Sequence, residues 1–164
     1  MGMIWVARLA NDNEVKSLVA KPDLIVDFVN PEVPDKHGTT IDLDKEWHAI
    51  HFLLTGSAGP TDSPLSLILG NYQNVGPDIG YGPAFQIPKL FLKAFDHAIS
   101  ALSSSDLRAR YDVKAMVNNQ VYIADSLADE GQEALEYLLK GIERLREFAS
   151  KGVAQSMSAF ALIT

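Results

Sequence analysis

An α+β fold is predicted by three features: apolar segments at the two ends of the chain, a long amphipathic helix just before the second, and several shorter helices with marked termini between. Residues 3–9 are β-branched and aromatic and are followed by Asn11-Asp12-Asn13, so they read as a strand. Residues 157–163, with Phe160, Leu162 and Ile163, have the near-continuous apolarity of a strand covered on both faces. Between about 129 and 150, Leu135, Leu138, Leu139, Ile142, Leu145 and Ala149 follow the i, i+3, i+4, i+7 rule. The expected architecture is a single helix-rich domain over 1–164, with a small sheet that holds both terminal strands and is packed by this helix.

The other elements follow in order. A short helix is expected over 14–20, and Pro22 can open a second that carries Leu24, Ile25, Phe28 and Val29 and stops at Asn30-Pro31. Residues 31–41, with Pro31, Pro34 and Gly38, read as an exposed loop in which His37 is solvated. Asp42 or Asp44 can cap a helix that runs through Trp47, Ile50, Phe52, Leu53 and Leu54 to Gly56. Ser63-Pro64 is expected to start a two-turn helix ending near Leu69-Gly70, and 71–87 an irregular loop punctuated by Gly76-Pro77, Gly80 and Gly82-Pro83. After Pro88 comes a helix with Phe91, Phe95, Ala98 and Leu102 as its stripe. The Ser103-Ser104-Ser105 run caps a segment over 106–110, Asp112 starts another turn ending at Asn118-Asn119, and 121–123 reads as a brief strand. In the long helix, Asp129 with Gln132 resembles a capping box and Gly152 stands past the end.

Composition narrows the classes of function. The 164 residues are 47% hydrophobic and 21% charged, close to globular averages. Without cysteine there is no disulfide, thiol nucleophile or thiolate metal site. A net charge of −7 opposes phosphate backbones and anionic lipids, so neither a nucleic acid nor a membrane is an expected partner. With no leader and no long apolar window, a cytoplasmic location is expected. Met1-Gly2 does not extend to a myristoylation pattern, because Val6 occupies the position that needs Ser or Thr.

The stretch Leu43-Asp44-Lys45-Glu46-Trp47-His48-Ala49-Ile50-His51-Phe52-Leu53-Leu54-Thr55-Gly56 resembles the YfbM-like family, a bacterial domain of unknown function. The resemblance extends through the opening Met1-Gly2-Met3, Pro64-Leu65 to Leu69-Gly70, Gly80-Tyr81-Gly82-Pro83-Ala84, Leu107 to Asp112 and Ala134 to Leu139, and so spans nearly the whole chain. It implies a bacterial intracellular α+β domain and no particular reaction. One departure lies at Ile123, where similar sequences tend to place proline after the tyrosine.

His48 and His51 are three apart on a helix, with Asp44 on nearly the same side. A rise of about 1.5 Å per residue separates Asp44 from His51 by about 10 Å along the axis, too far for one ion, so no metal and no cofactor are expected. His51 borders the Trp47, Ile50, Leu54 stripe, where a partly buried histidine bonds a backbone group. Residues 76–83 lack the Gly-Lys-Ser/Thr ending of a phosphate loop, and their glycines suit consecutive turns. His97 and Asp96 are sequence neighbours on a helix and point about 100° apart, so they form no dyad. The expected functional site is the meeting of His48, His51 and Thr55 with Asp78, Tyr81 and Gly82. The expected function is a module that binds a small ligand or a protein partner. The alternatives are a hydrolase or transferase with His48 or His51 as general base, and an acidic immunity-type protein that neutralises a basic toxin.

Overall fold

Segments that are apolar on both sides can only be satisfied at the middle of a sheet covered on both faces, and the two terminal strands take that place. The computed structural model describes residues 2–30, 32, 35 and 37–164. In it, β1 (Trp5–Ala10) and β5 (Ser158–Ile163) lie antiparallel side by side, with Val6 opposite Leu162 and Arg8 opposite Phe160. On the far side of β1 runs β2 (Thr40–Asp42); beyond β5 come β4 (Pro83–Ile87) and β3 (Gln73–Asp78). The five strands form one antiparallel sheet in the order β2-β1-β5-β4-β3.

Alternation along the central strands sorts two clusters. Val6, Ala10, Phe160 and Leu162 pack with Leu18 of α1 (Asp12–Ala20) and with Ile25 and Val29 of α2 (Ile25–Val29). Trp5, Ala7, Leu9, Ala159 and Ala161 face the larger cluster, built from α3 (Trp47–Thr55), α4 (Lys89–Ser100) and α8 (Gln132–Ala154). Three smaller helices, α5 (Ser104–Ala109), α6 (Val113–Asn118) and α7 (Ala124–Glu130), complete eight α-helices among the described residues. A fully buried side chain such as Phe95 contributes roughly 1.5–3 kcal/mol by leaving water. The α+β class, the terminal strands in one sheet and the long helix over it stand as the sequence predicts. So do the Ser103 and Asp112 caps, each accepting a backbone N–H three residues on.

Several expectations are corrected. Pro31 and Pro34 of the expected 31–41 loop lie outside the described residues, but its end is strand: Asp35 accepts the N–H groups of Thr39 and Thr40 and feeds them into β2. Only Ile41 in that strand is buried, too little for an alternation to show. Residues 64–69 form turns rather than a helix, because side chains take their backbone groups. Ser66 Oγ donates to Leu69 O at 2.7 Å, and the Tyr72 hydroxyl donates to Leu67 O at 2.9 Å. The expected loop 71–87 is mostly the β3–β4 hairpin; Gly76, at φ +84, and Pro77 sit where the register shifts and hide its period.

Residues 121–123 are a turn, with Ile123 at φ +60, a conformation closed to proline; the departure noted there therefore falls on a left-handed residue. The helix expected over 129–150 is two helices broken at Gly131 (φ +62, ψ −129), so Asp129 lies inside α7 and makes no capping box. Gly152 lies within α8, where an added Cβ would come within 2.9 Å of Leu9 Cδ2 and 3.0 Å of Leu92 Cδ1. Its lack of a side chain lets the helix press on the sheet. Neither Asp42 nor Asp44 caps α3: residues Asp44–Glu46 make a 3-10 turn, and Asp42 Oδ1 instead accepts the Asp44 N–H. In α4 the buried stripe is Leu92, Phe95 and Ile99, one step round from the expected one, which leaves Phe91 exposed against Tyr72.

Candidate functional site

The helix α3 is apolar almost all round and buried at Trp47, Ile50, His51 and Leu54, so its polar side chains must find partners within the protein. Trp47 Nε1 donates to Met3 O at 3.1 Å and its ring stacks on that of His48, 4.9 Å between centroids. His48 Nε2 lies 2.8 Å from Ala58 O, while Nδ1 accepts the Tyr122 N–H at 3.0 Å. A carbonyl can only accept and an amide only donate, so these partners fix the neutral Nε2–H tautomer. Its neighbour one turn on behaves alike: His51 Nε2 donates to Gly59 O at 2.8 Å. That ring is fully buried, and among the described residues Nδ1 has no hydrogen-bond partner. Burial pushes its pKa below the ordinary 6.5, the Gly59 bond opposes this, and His48 adds a small push downward.

Thr55 donates to His51 O at 2.8 Å and accepts the Ser57 N–H at 3.2 Å, just before Gly56 closes the helix in the left-handed conformation. Together the three side chains hold the segment 57–59 against the end of α3.

The hairpin tip is held from within. Asp78 Oδ1 accepts the N–H groups of Gly80 at 2.7 Å and Gly82 at 3.1 Å, and Ile79 N–H donates to Gly82 O. Gly80 and Gly82 have φ of +124 and +101, which only glycine adopts cheaply. The turn thereby displays Tyr81, 52% exposed, and Ile79, 37% exposed. Gly76 in the stem meets Pro22 so closely that a Cβ would lie 2.9 Å from the proline's own. Among the described residues no hydrogen bond joins His48, His51 or Thr55 to Asp78, Tyr81 or Gly82; each set closes on its own segment.

No group of three or more His, Asp or Glu among the described residues could hold a metal ion, and none of their helices is long and apolar enough to cross a membrane. One residue that sequence reasoning missed is Glu46, which reads as an ordinary surface charge beside Lys45 yet is 2% exposed. Its position between Leu43 and Trp47, both buried, was the available signal.

Residues 1–160 match the model of a family described as a domain of unknown function, DUF1877. The chain belongs to this family. No curated protein matches it. Among solved structures, a protein of unknown function, YfbM from Escherichia coli, is similar at a TM-score of 0.73 with 20% sequence identity, covering 98% of this chain and 99% of that one. A likeness at that identity shows the fold, which is the YfbM-like fold expected from the sequence.

Proposed function

We propose that this DUF1877 domain is a binding module for a protein partner, engaged through the tip of the β3–β4 hairpin. The observation that carries the reading is the locked turn: Asp78 holds two glycine amides so that Tyr81 stands half-exposed on a fixed backbone. An aromatic side chain presented this way loses little entropy on binding, which is how rigid tyrosines act as interface anchors. A protruding turn suits a protein surface better than a small molecule, which needs a concavity. Of the six candidate residues, Asp78, Tyr81 and Gly82 form or shape the contact, while His48, His51 and Thr55 serve the frame. A general base at His48 would first have to give up the Tyr122 amide, since that bond occupies its lone pair. The single domain is taken to act in the cytoplasm, where its charge of −7 keeps it apart from nucleic acid and anionic membranes.

The test compares Tyr81→Ala with His48→Ala by affinity capture from the native host, alongside melting temperature. Tyr81→Ala should lose a specifically captured protein at unchanged melting temperature, whereas His48→Ala should melt earlier and keep capture per folded molecule. Capture that survives Tyr81→Ala, or that fails only in His48→Ala, defeats the proposal.

A further inference from the structure

A carboxylate belongs in water or against a partner, and Glu46 has neither arrangement completed. It is 2% exposed, and among the described residues its oxygens have no well-formed hydrogen bond, the Tyr137 hydroxyl facing them as a group able to donate one. The room it occupies exists because Gly141 of α8 lacks a side chain: a Cβ there would stand 3.0 Å from Glu46 Oε2 and 2.5 Å from Ile50 Cδ1. The groups that face it are Tyr137 and Arg144 from α8, and Asp42 and Asp44 from the segment leading into its own turn. Arg144 is the cation of this set. Its Nη2 approaches Glu46 Oε2 to 3.8 Å, its Nη1 donates to Asp42 O at 2.8 Å on the edge strand β2, and its side chain remains 49% exposed. The same guanidinium lines a cavity of about 420 Å³ between β2 and α8, together with Thr40, Asp42, Glu147 and Lys151.

We propose that Glu46 and Arg144 form a proton-operated latch, in which the charge on Glu46 sets how firmly Arg144 clamps β2 to α8 and so gates the cavity between them. With Glu46 ionised, its attraction draws the guanidinium inward, where Nη1 also holds the Asp42 carbonyl. When Glu46 takes up a proton the inward pull ends, and Glu147 on the cavity wall becomes the competing anion for Arg144. Burial raises the pKa of Glu46 above its ordinary 4.5; Tyr137 and Arg144 oppose this, and Asp44 and Asp42 add to it. The uncharged state is therefore reached at milder acidity than for an exposed glutamate. The latch does not depend on the hairpin reading, since its residues lie on β2, the turn before α3 and α8.

The experiment is carboxyl and guanidinium NMR across a pH series, with amide exchange protection of Leu43, whose N–H donates to Trp5 O. The Arg144 resonances should titrate with the same midpoint as Glu46, and Leu43 protection should fall by about threefold on passing below it, as local opening predicts. Glu46→Gln should show the lower protection at every pH without melting earlier than the parent. Arg144 resonances that do not follow Glu46, or a Glu46→Gln variant that keeps the pH step, would overturn the proposal. Should that variant fail to fold, the parent's paired titration decides alone.

Discussion

Two turns of this molecule are fixed by polar side chains in opposite ways. After α3, the segment 57–59 is held from outside by His48 and His51, whose rings reach from the helix to its carbonyls. At the tip of the hairpin, Asp78 holds its own turn, and among the described residues no side chain from elsewhere hydrogen-bonds to it. In the first case the conspicuous residues are consumed by architecture; in the second the architecture is local and leaves Tyr81 and Ile79 free to face outward. A histidine pair on a helix looks like chemistry in sequence, and partner geometry is what separates a pin from a base.

The sharpest way to break this contrast is His51→Ala. It deletes a fully buried ring and strands Gly59 O, and should cost about 2–4 kcal/mol in denaturant unfolding. A loss under about 1 kcal/mol would mean the ring is not a pin.

Acid should separate the same two turns. His51 has a lowered pKa in the folded state, so the folded protein favours the neutral ring. Its contribution is complete above the ordinary value of 6.5 and is lost as pH falls below it, because the unfolded chain then binds a proton the folded one refuses. Denaturant midpoints between pH 7 and 5 should decline with a slope of up to about 1.4 kcal/mol per pH unit from this one group, and His51→Gln should flatten it. An unchanged slope in that variant would assign the decline to other groups. The hairpin tip contains no histidine and should keep its amide spectrum through the same range.

Asp78→Ala should cost only about 0.5–1.5 kcal/mol, because the hydrogen bonds it removes are exposed. The loss should appear as faster exchange of the Gly80 and Gly82 amides while the segment 57–59 is unaffected. Disturbance of both turns would show that they are coupled. The smallest effect belongs to Tyr81→Ala, expected within about 0.5 kcal/mol of the parent, as for a half-exposed side chain. A larger loss would make Tyr81 a packing residue.

How much of this was legible depended on whether a segment's pattern was set locally or by a distant partner. β1 and β5 declare themselves because both of their faces are covered, and the backbone-bonded His51 follows from its place beside the Trp47, Ile50, Leu54 stripe. The hairpin did not show, because Gly76 and Pro77 interrupt its alternation and its register depends on the β5 edge. Residues 64–69 have the cap, the proline and the leucines of a helix, but Ser66 and Tyr72 remove the carbonyls a helix would use. Gly152 is expected past the end of the long helix and lies inside it, since only the packed structure shows that it must touch Leu9 and Leu92, while the break falls at Gly131, within the expected helix. Glu46 lay hidden because its burial depends on Gly141, almost a hundred residues away.

Site-specific photo-crosslinking in the native host tests whether this domain meets a partner at the tip of the hairpin. A photoreactive phenylalanine analogue is placed at position 81, and in a second protein at exposed Pro60 beside the histidine-held turn. A single defined adduct from position 81, abolished by Asp78→Ala and absent from position 60, is the predicted result. An adduct from position 60 alone, or one from position 81 indifferent to Asp78, would contradict it.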